Sequence, residues 1–123
     1  MKTKEFKFDE QLFRFNEAED VKSRIIAYSE NLMLMEWTFS RKGTVLPMHN
    51  HVHEQLTTVL RGSVEVTMAD GTTAVFRSGD AICFASNEDH GLTTLEDDTV
   101  CMDVFSPMRK DHLASHVQNR SVD

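Results

Sequence analysis

The stretch HNHVHEQ, residues 49–55, places three histidines at alternate positions and a glutamine two residues after the third. These histidines are half of the six in the chain. If the segment is extended, the four side chains share one face, because successive side chains of a strand point to opposite sides. Imidazoles that converge from a rigid element are suited to bind a metal ion. The stretch therefore predicts a metal site inside a β-structure; the plainer alternative is an exposed polar strand face.

The sequence around this stretch consists of short apolar segments separated by turns, from about residue 24 to residue 106. Glycine-containing turns interrupt it at residues 61–62, 70–71 and 78–80. An Asp-Gly pair between alternating segments, as at 70–71, is typical of a hairpin because both turn positions can adopt positive φ. Many short strands at this spacing predict an all-β sandwich or barrel.

The ends of the chain differ from this strand-rich middle, although 123 residues fit one domain. Residues 1–23 form an N-terminal extension with alternating aromatic and polar residues. We expect a strand there, at the edge of the chain's own barrel or swapped onto that of a partner. The barrel takes residues 24–109, and residues 110–123 form a C-terminal tail with a short helix that gives way to a frayed end.

Composition excludes several classes of partner. Lysine and arginine number 13 against 20 acidic residues, a net charge of −7, so nonspecific nucleic-acid binding is not expected. No apolar run approaches the roughly 20 residues of a membrane helix, and the charged N-terminus has no apolar signal region. Cys83 and Cys101 each lie in an apolar stretch and are predicted to be reduced core thiols of a cytoplasmic protein.

The histidine cluster lies inside a longer pattern of two motifs. The matching positions are Gly43, His49, His51, Gln55, Gly62, Gly79 and His90. Their spacing resembles the two motifs of the cupin superfamily, G-x5-H-x-H-x3-E-x6-G and G-x5-P-x-G-x2-H. The resemblance implies a single-domain cupin, an all-β double-stranded β-helix or jelly-roll barrel. It also implies one divalent transition metal, nickel, zinc, manganese or iron, with the ligands His49, His51, Gln55 and His90.

Three positions depart from the cupin motifs. Gln55 occupies the position of the glutamate, so the site carries one negative charge fewer and a weaker oxygen ligand. A metal held there keeps more of its positive charge to polarise a substrate. Ala85 and Asn87 stand where the second motif has proline and glycine. Asparagine tolerates a left-handed backbone, so we expect the turn to persist.

Two further segments narrow the resemblance. DVFSPMRKDHL, residues 103–113, and RIIAYSENLMLMEWTF, residues 24–39, together with the histidine stretch, resemble the KdgF family of pectin-degradation cupins. Proteins of that family open the ring of 4,5-unsaturated monouronates, released from pectin or alginate, to the linear keto-uronate. The resemblance implies an enzyme that acts on a small anionic sugar, with Asp103, Phe105 and Arg109 in its active site. It also implies a homodimer.

The chemistry of ring opening suits these residue types. The anomeric hydroxyl must lose a proton and C4 must gain one, which a carboxyl group can mediate. Asp103 shares a strand face with Phe105, and burial there would raise its pKa toward a useful value. Arg109 could hold the substrate carboxylate through two hydrogen bonds. Phe105 would present an apolar wall to the sugar ring.

Each assignment has a structural alternative. Asp103 could be a buried acid bonded to backbone amides, Arg109 could only pair with Asp111 at the surface, and Phe105 could be a core aromatic. His53 either contacts substrate through a hydrogen bond or is a polar residue at the barrel mouth.

Two other functions of the protein compete with ring opening. One is an iron-dependent dioxygenase with the same histidines and glutamine, and the other is a non-catalytic sugar-binding or sensor module.

Overall fold

The computed structural model describes residues 2–118, which form two antiparallel β-sheets packed face to face. The strands are β1 Leu12–Asn16, β2 Val21–Tyr28, β3 Met33–Phe39, β4 Val45–His49, β5 Glu54–Arg61, β6 Ser63–Thr67, β7 Thr73–Arg77, β8 Ala81–Phe84, β9 His90–Thr94, β10 Thr99–Ser106 and β11 Val117–Gln118. A 3₁₀ turn spans Phe8–Glu10 and the helix α1 spans Lys110–Ser115. The prediction of an all-β jelly-roll barrel is confirmed.

The larger sheet has the strand order β11-β1-β2-β3-β10-β5-β8, and the smaller has β4-β9-β6-β7. Strand β10 therefore lies between β3 and β5, although it is far from both in sequence. Its pairing with β5 sets Asp103 directly opposite Thr57 and Phe105 opposite Gln55. In the smaller sheet, β4 pairs with β9 so that His49 is opposite His90. The two registers bring the predicted site residues to one end of the barrel.

The core lies between the inner faces of the two sheets. Its buried apolar side chains are Val21, Ile25, Met33, Met35, Phe39, Val59, Val64, Val66, Phe84, Cys101 and Phe105. Strand β10 alternates between buried and half-buried positions, with Cys101, Asp103 and Phe105 pointing inward. The expected interior face of this strand is therefore confirmed, and it carries one carboxyl group among apolar neighbours.

The turns occur where glycine was expected to interrupt the strands. Gly71 has φ +86° in the connection of β6 and β7, as the Asp-Gly pair predicts. Gly62 has φ +81°, and a Cβ there would collide with the side chain of Thr99. Asn87 adopts φ +63°, so this position keeps the left-handed backbone that glycine has in the second cupin motif.

Two local expectations were wrong. Residues 49–55 are not one extended segment, because β4 ends at His49 and β5 begins only at Glu54, with a loop between them. Cys83 is exposed rather than part of the core, since β8 is an edge strand and Cys83 lies opposite exposed Leu56 on its outward face. Cys101 is buried as expected, and both thiols are free.

The two ends of the described chain add to the larger sheet. Strand β1 pairs with β2 of the same chain, and β11 pairs with β1. Strand β2 already begins at Val21, inside the segment assigned to the N-terminal extension. The frayed end expected of the tail falls in residues 119–123, outside the described residues. Within residues 2–118, no helix is long and apolar enough to cross a membrane. The homodimer stays a prediction.

Candidate metal centre and adjoining cavity

Three histidines converge at one end of the barrel from two strand ends and a loop. One ring nitrogen of each of His49, His51 and His90 lies within 4.8 Å of the others. The backbone of the loop after β4 is tied to the loop before β9, because Asn87 N–H donates to the His51 carbonyl at 2.8 Å. The Asn50 side chain also donates to the Asp89 carboxylate at 2.6 Å. These contacts fix the histidines relative to one another without a continuous strand.

The three rings are oriented in the same way. Each has its Nδ1 beside a backbone carbonyl: His49 with Pro47 at 2.8 Å, His51 with His53 at 2.9 Å, and His90 with Glu88 at 3.0 Å. A carbonyl oxygen only accepts, so Nδ1 is the donor and Nε2 keeps its lone pair in the neutral ring. This is the orientation that metal-binding histidines have in proteins, with the second nitrogen held by the backbone.

Gln55, the second residue of β5, completes the group. It is buried, and its Oε1 lies 3.0 Å from Nε2 of His51. Since Nδ1 of His51 already donates to a carbonyl, this contact sets two lone pairs against each other in the neutral ring. A cation bound by both atoms removes that conflict. His90 offers a second sign, because its Nε2 is buried and has no hydrogen-bond partner among the described residues. The donor set therefore fits a metal ion.

Burial keeps two of these rings uncharged at neutral pH. Desolvation, aided by the nearby His49, His51 and Arg109 and opposed by the hydrogen bond to the Glu88 carbonyl, lowers the pKa of His90 to about 4. Desolvation, followed by the charge of Arg109, also lowers the pKa of His51. The ring of His90 stacks on Phe84, with 4.1 Å between centroids. Neutral imidazole is the form that binds metal, so the site is ready to accept one.

Asp103 lies on the neighbouring strand β10 and is 7% exposed. Desolvation raises the pKa of its carboxyl to about 6, although hydrogen bonds from Thr57 and Gln55 and the charge of Arg109 oppose the shift. The Thr57 hydroxyl donates to Asp103 Oδ1 at 2.6 Å, and the Gln55 amide donates to Thr57 at 2.8 Å. Side-chain hydrogen bonds thus connect the carboxyl group to Gln55, whose Oε1 faces His51.

A cavity of about 310 Å³ adjoins this group. Its walls include His49, Gln55, His90, Asp103, Phe105, Arg109, Trp37 and His112. Three of the four candidate metal ligands thus share one cavity with the predicted acid and arginine. Such a volume is at the lower end of those that take small-molecule ligands.

Arg109 and Phe105 both line the cavity, but each also has the structural contact considered above. Arg109 pairs with Asp111 through Nη2 at 2.7 Å and Nε at 3.2 Å, while its own side chain is only 13% exposed. Its Cζ lies 5.1 Å from the centre of the Phe105 ring, a cation–π distance. Partial burial alone would raise the pKa of Asp111, but the guanidinium lowers it to about 2. The pair is therefore charged on both sides.

His53 is near the cluster but is not among the residues of the cavity wall. Its ring lies 5.4 Å from that of His51, and its Nδ1 is buried without a hydrogen-bond partner among residues 2–118. Desolvation and then Arg109 lower its pKa. The structure brings together the other predicted site residues, whereas His53 lies beside His51 and outside the cavity wall.

Thr57 and His112 are polar residues of the cavity wall that were not predicted from the sequence. Thr57 follows Gln55 by two positions in a strand and so shares its face, which is a signal that the pattern does contain. His112 follows Arg109 by three positions at the start of α1, again on one face. Desolvation and then Arg109 lower the pKa of His112 to about 3, and its buried Nε2 has no partner in the described part of the chain.

The helix that carries His112 is anchored to the larger sheet. Nε2 of His116 lies 2.8 Å from the hydroxyl of Ser23 on β2, and Nδ1 of His116 lies 2.6 Å from the carbonyl of His112. The carbonyl can only accept, so Nδ1 donates to it and Ser23 donates to Nε2. This buried contact holds α1 against the barrel beside the cavity.

Comparison with known proteins agrees with this architecture. The cupin domain family matches residues 35–105. Pectin degradation protein KdgF of Dickeya dadantii (strain 3937) is 38% identical over 94 residues, which are 76% of this chain and 84% of that protein. The chain belongs to the cupin family.

Within that family the chain is a relative of the KdgF proteins. The structure of KdgF from Halomonas sp. matches with a TM-score of 0.80 and 29% identity, over 90% of this chain and 99% of that one. An RmlC-like cupin from Shewanella frigidimarina NCIMB 400 matches with a TM-score of 0.77 and 25% identity, over 89% and 96% of the two chains. The resemblance inferred from the sequence motifs is confirmed.

Proposed function

We propose that this protein is a metal-dependent enzyme of uronate catabolism. Its reaction is the opening of the ring of a 4,5-unsaturated monouronate, from pectin or alginate breakdown, to the linear 4-deoxy-5-keto uronate. The observation that carries the proposal is a buried carboxyl group, Asp103, that faces one cavity with a half-buried arginine, beside three converging histidines. The relationship to a pectin degradation protein supports the substrate class.

The reaction is an isomerisation, so a proton leaves one atom of the sugar and another arrives elsewhere. The anomeric hydroxyl loses its proton, the bond from C1 to the ring oxygen breaks, and an aldehyde forms at C1. The electron pair released to the ring oxygen gives an enolate over C5 and C4, and a proton added at C4 leaves a ketone at C5. One carboxyl group that accepts and returns a proton can serve both steps.

Asp103 is suited to that task by its surroundings. With a pKa raised to about 6 by burial, it can exist in both protonation states near neutral pH. Thr57 donates to Oδ1, and Asp103 lines the cavity, where its carboxyl group can exchange a proton with a bound substrate. We assign Asp103 as the general base at the anomeric hydroxyl and as the general acid at C4.

The substrate carboxylate would be held by Arg109. Its guanidinium is rigid, always charged and already placed beside the cavity by the ring of Phe105 and the carboxylate of Asp111. Phe105 would meanwhile cover one face of the sugar ring. His112 is neutral, and its buried Nε2, which has no partner within residues 2–118, could contact a ring hydroxyl. His53 lies outside the cavity wall, so we propose no direct contact with the substrate. Its influence on substrate binding would act through its neighbours His51 and Arg109.

A divalent metal would be held by His49, His51, His90 and Gln55. When bound, such an ion supplies a positive charge that orients hydroxyl groups and stabilises developing oxyanion charge. Imidazole suits nickel, zinc, manganese and iron alike. The amide of Gln55 leaves the charge of the ion less neutralised than a glutamate would.

The test is to mix purified protein with an unsaturated monouronate and follow the loss of ultraviolet absorbance from its double bond. The spontaneous rate is the background, and chelator and Asp103→Asn are the controls. We expect acceleration that needs metal and is lost in Asp103→Asn. Binding of the uronate with no acceleration under any divalent metal would favour a binding module. Oxygen uptake with iron alone would favour a dioxygenase. Either result contradicts the proposal.

A further inference from the structure

Thr57 connects the candidate metal centre to the candidate acid and belongs to neither. It is 6% exposed, lies in β5 and is opposite Asp103 in the register of β5 with β10. Its hydroxyl accepts from Nε2 of Gln55 at 2.8 Å and donates to Oδ1 of Asp103 at 2.6 Å. The other end of the Gln55 amide, Oε1, lies 3.0 Å from Nε2 of His51.

The direction of this chain follows from the number of protons available. A hydroxyl group donates once, and Thr57 donates to the carboxylate of Asp103, so toward Gln55 it can only accept. The amide must then turn its NH₂ group to Thr57 and its oxygen to His51. A glutamine, unlike a glutamate, has two chemically different ends, and only the oxygen is a metal ligand. The hydroxyl therefore determines which end faces the histidines.

We propose that Thr57 is a positioning residue that directs the oxygen of Gln55 toward the metal and holds Oδ1 of Asp103 as an acceptor. The glutamine at the glutamate position is thus paired with a hydroxyl that determines which end of its amide faces the histidines. The first part needs only that the site binds a cation, whereas the second part rests on the proposed function. Without the hydroxyl, the amide is free to present its NH₂ group to the ion.

The test is the affinity for Mn²⁺ and Ni²⁺, measured by calorimetry on wild type, Thr57→Val and Thr57→Ser. Valine has the shape of threonine without the hydroxyl, and serine keeps the hydroxyl. We expect affinity to fall about 10- to 100-fold in Thr57→Val, the usual cost of losing a group that orients a metal ligand. In Thr57→Ser it should stay within about threefold of wild type. Circular dichroism reports whether each variant is folded, and Thr57→Ala, which also lacks the hydroxyl and adds no metal ligand, replaces Thr57→Val if the valine variant does not fold.

A second background separates orientation from simple packing. In Gln55→Glu the two ligand oxygens are equivalent, so there is no amide to orient. Adding Thr57→Val to Gln55→Glu should change metal affinity less than about threefold, although the same methyl-for-hydroxyl exchange is made. An equal loss in both backgrounds, or equal affinity of all Thr57 variants with wild type, overturns the inference. So does a wild type that binds neither ion.

Turnover of the unsaturated uronate tests the second part. Loss of the Thr57 hydroxyl should lower kcat more than it raises KM, because Asp103 acts on the reacting atoms and Arg109 carries the binding of the carboxylate. Thr57→Ser should restore kcat. If wild type binds metal but does not accelerate ring opening, the proposed function fails while the affinity pattern still decides whether Thr57 orients Gln55. A larger effect on KM than on kcat contradicts the second part.

Discussion

The two halves of the candidate site are built in different ways. On the metal side, the Nδ1 atoms of His49, His51 and His90 each meet a backbone carbonyl only two residues away. On the acid side, Asp103 is held by the side chain of Thr57, 46 residues away in sequence. On the metal side each ring is oriented by local geometry, whereas on the acid side the carboxyl group is held through the register of two central strands. The two halves meet at Gln55 and Thr57, and changes outside that pair leave the supports of the other half intact.

Asp103→Asn is expected to have the largest effect, and it should act on ring opening and not on metal affinity. The exchange removes the proton-transfer group and keeps the shape of the side chain, so ring opening should slow by about 10²- to 10⁴-fold. Metal affinity should change little, since the amide oxygen of the asparagine can still accept from Thr57 and the ligands themselves are untouched. Absorbance kinetics and calorimetry on the same preparation measure both effects. A variant that loses metal and activity together would show that the two halves are not independent.

His90→Ala should act on metal binding first and on turnover as a consequence. Removing one ring from a three-histidine cluster should weaken metal binding by more than about 100-fold, beyond the cost of losing an orienting group. Turnover should fall with it and recover only partly at high metal concentration. The substitution leaves Asp103 and its partner Thr57 in place. Exposed His49 offers the matched control, because His49→Ala should cost metal affinity without opening a cavity under Phe84. Unchanged affinity in both variants contradicts the ligand set.

Arg109→Lys tests the binding of the anionic substrate at the acid side. Lysine keeps the charge but cannot form the two parallel hydrogen bonds of a guanidinium. A charge-assisted hydrogen bond contributes about 1.5–3 kcal/mol, so KM should rise about tenfold or more while kcat changes less. Steady-state kinetics gives both parameters, and Lys110→Arg is a control for charge outside the cavity. A fall in kcat with unchanged KM would place Arg109 in the chemical step instead.

The metal-free protein offers a test of Asp103 through the free energy of unfolding. Asp103 has a pKa of about 6 in the folded state against an ordinary value of 3.8. Between these values the folded protein binds more protons than the unfolded chain, so its stability should fall as the pH rises through this window. At pH 7, Asp103→Asn should be more stable by about 1–3 kcal/mol. Urea unfolding at pH 4 and pH 7 measures the free energy of unfolding of both proteins. If it depends on pH equally in wild type and variant, the raised pKa of Asp103 is contradicted.

The contrast between the two halves also explains what the sequence predicted. The turns and the inward face of β10 follow from short-range patterns, and the convergence of His49, His51, Gln55 and His90 is what the resemblance to the cupin motifs implies. The role of each residue stays a prediction. The backbone conformation of residues 49–55 was not predicted correctly, because the expected strand ends at His49 and a loop follows. The exposure of Cys83 depends on β8 being an edge strand, which only the sheet order reveals.

Thr57 and His112 were missed for a related reason. Each lies on the same face as a residue that was predicted, but neither is part of the motif pattern that drew attention to the site. The importance of Thr57 comes from its position opposite Asp103, and that register depends on the pairing of β5 with β10. Contacts between residues so far apart in sequence are not readable from a single chain.

The pairing of Arg109 with Asp111 has a consequence for selectivity. The guanidinium at the cavity already has a carboxylate as its neighbour, held two residues away in the same chain. An incoming anion that takes the edge of the guanidinium now bonded to Asp111 gains only the difference between its own contact and that of Asp111. Simple carboxylates such as acetate offer nothing more and should compete weakly. A sugar acid that also fills the cavity brings additional contacts, so an internal competitor would select for ligands that carry more than a charge.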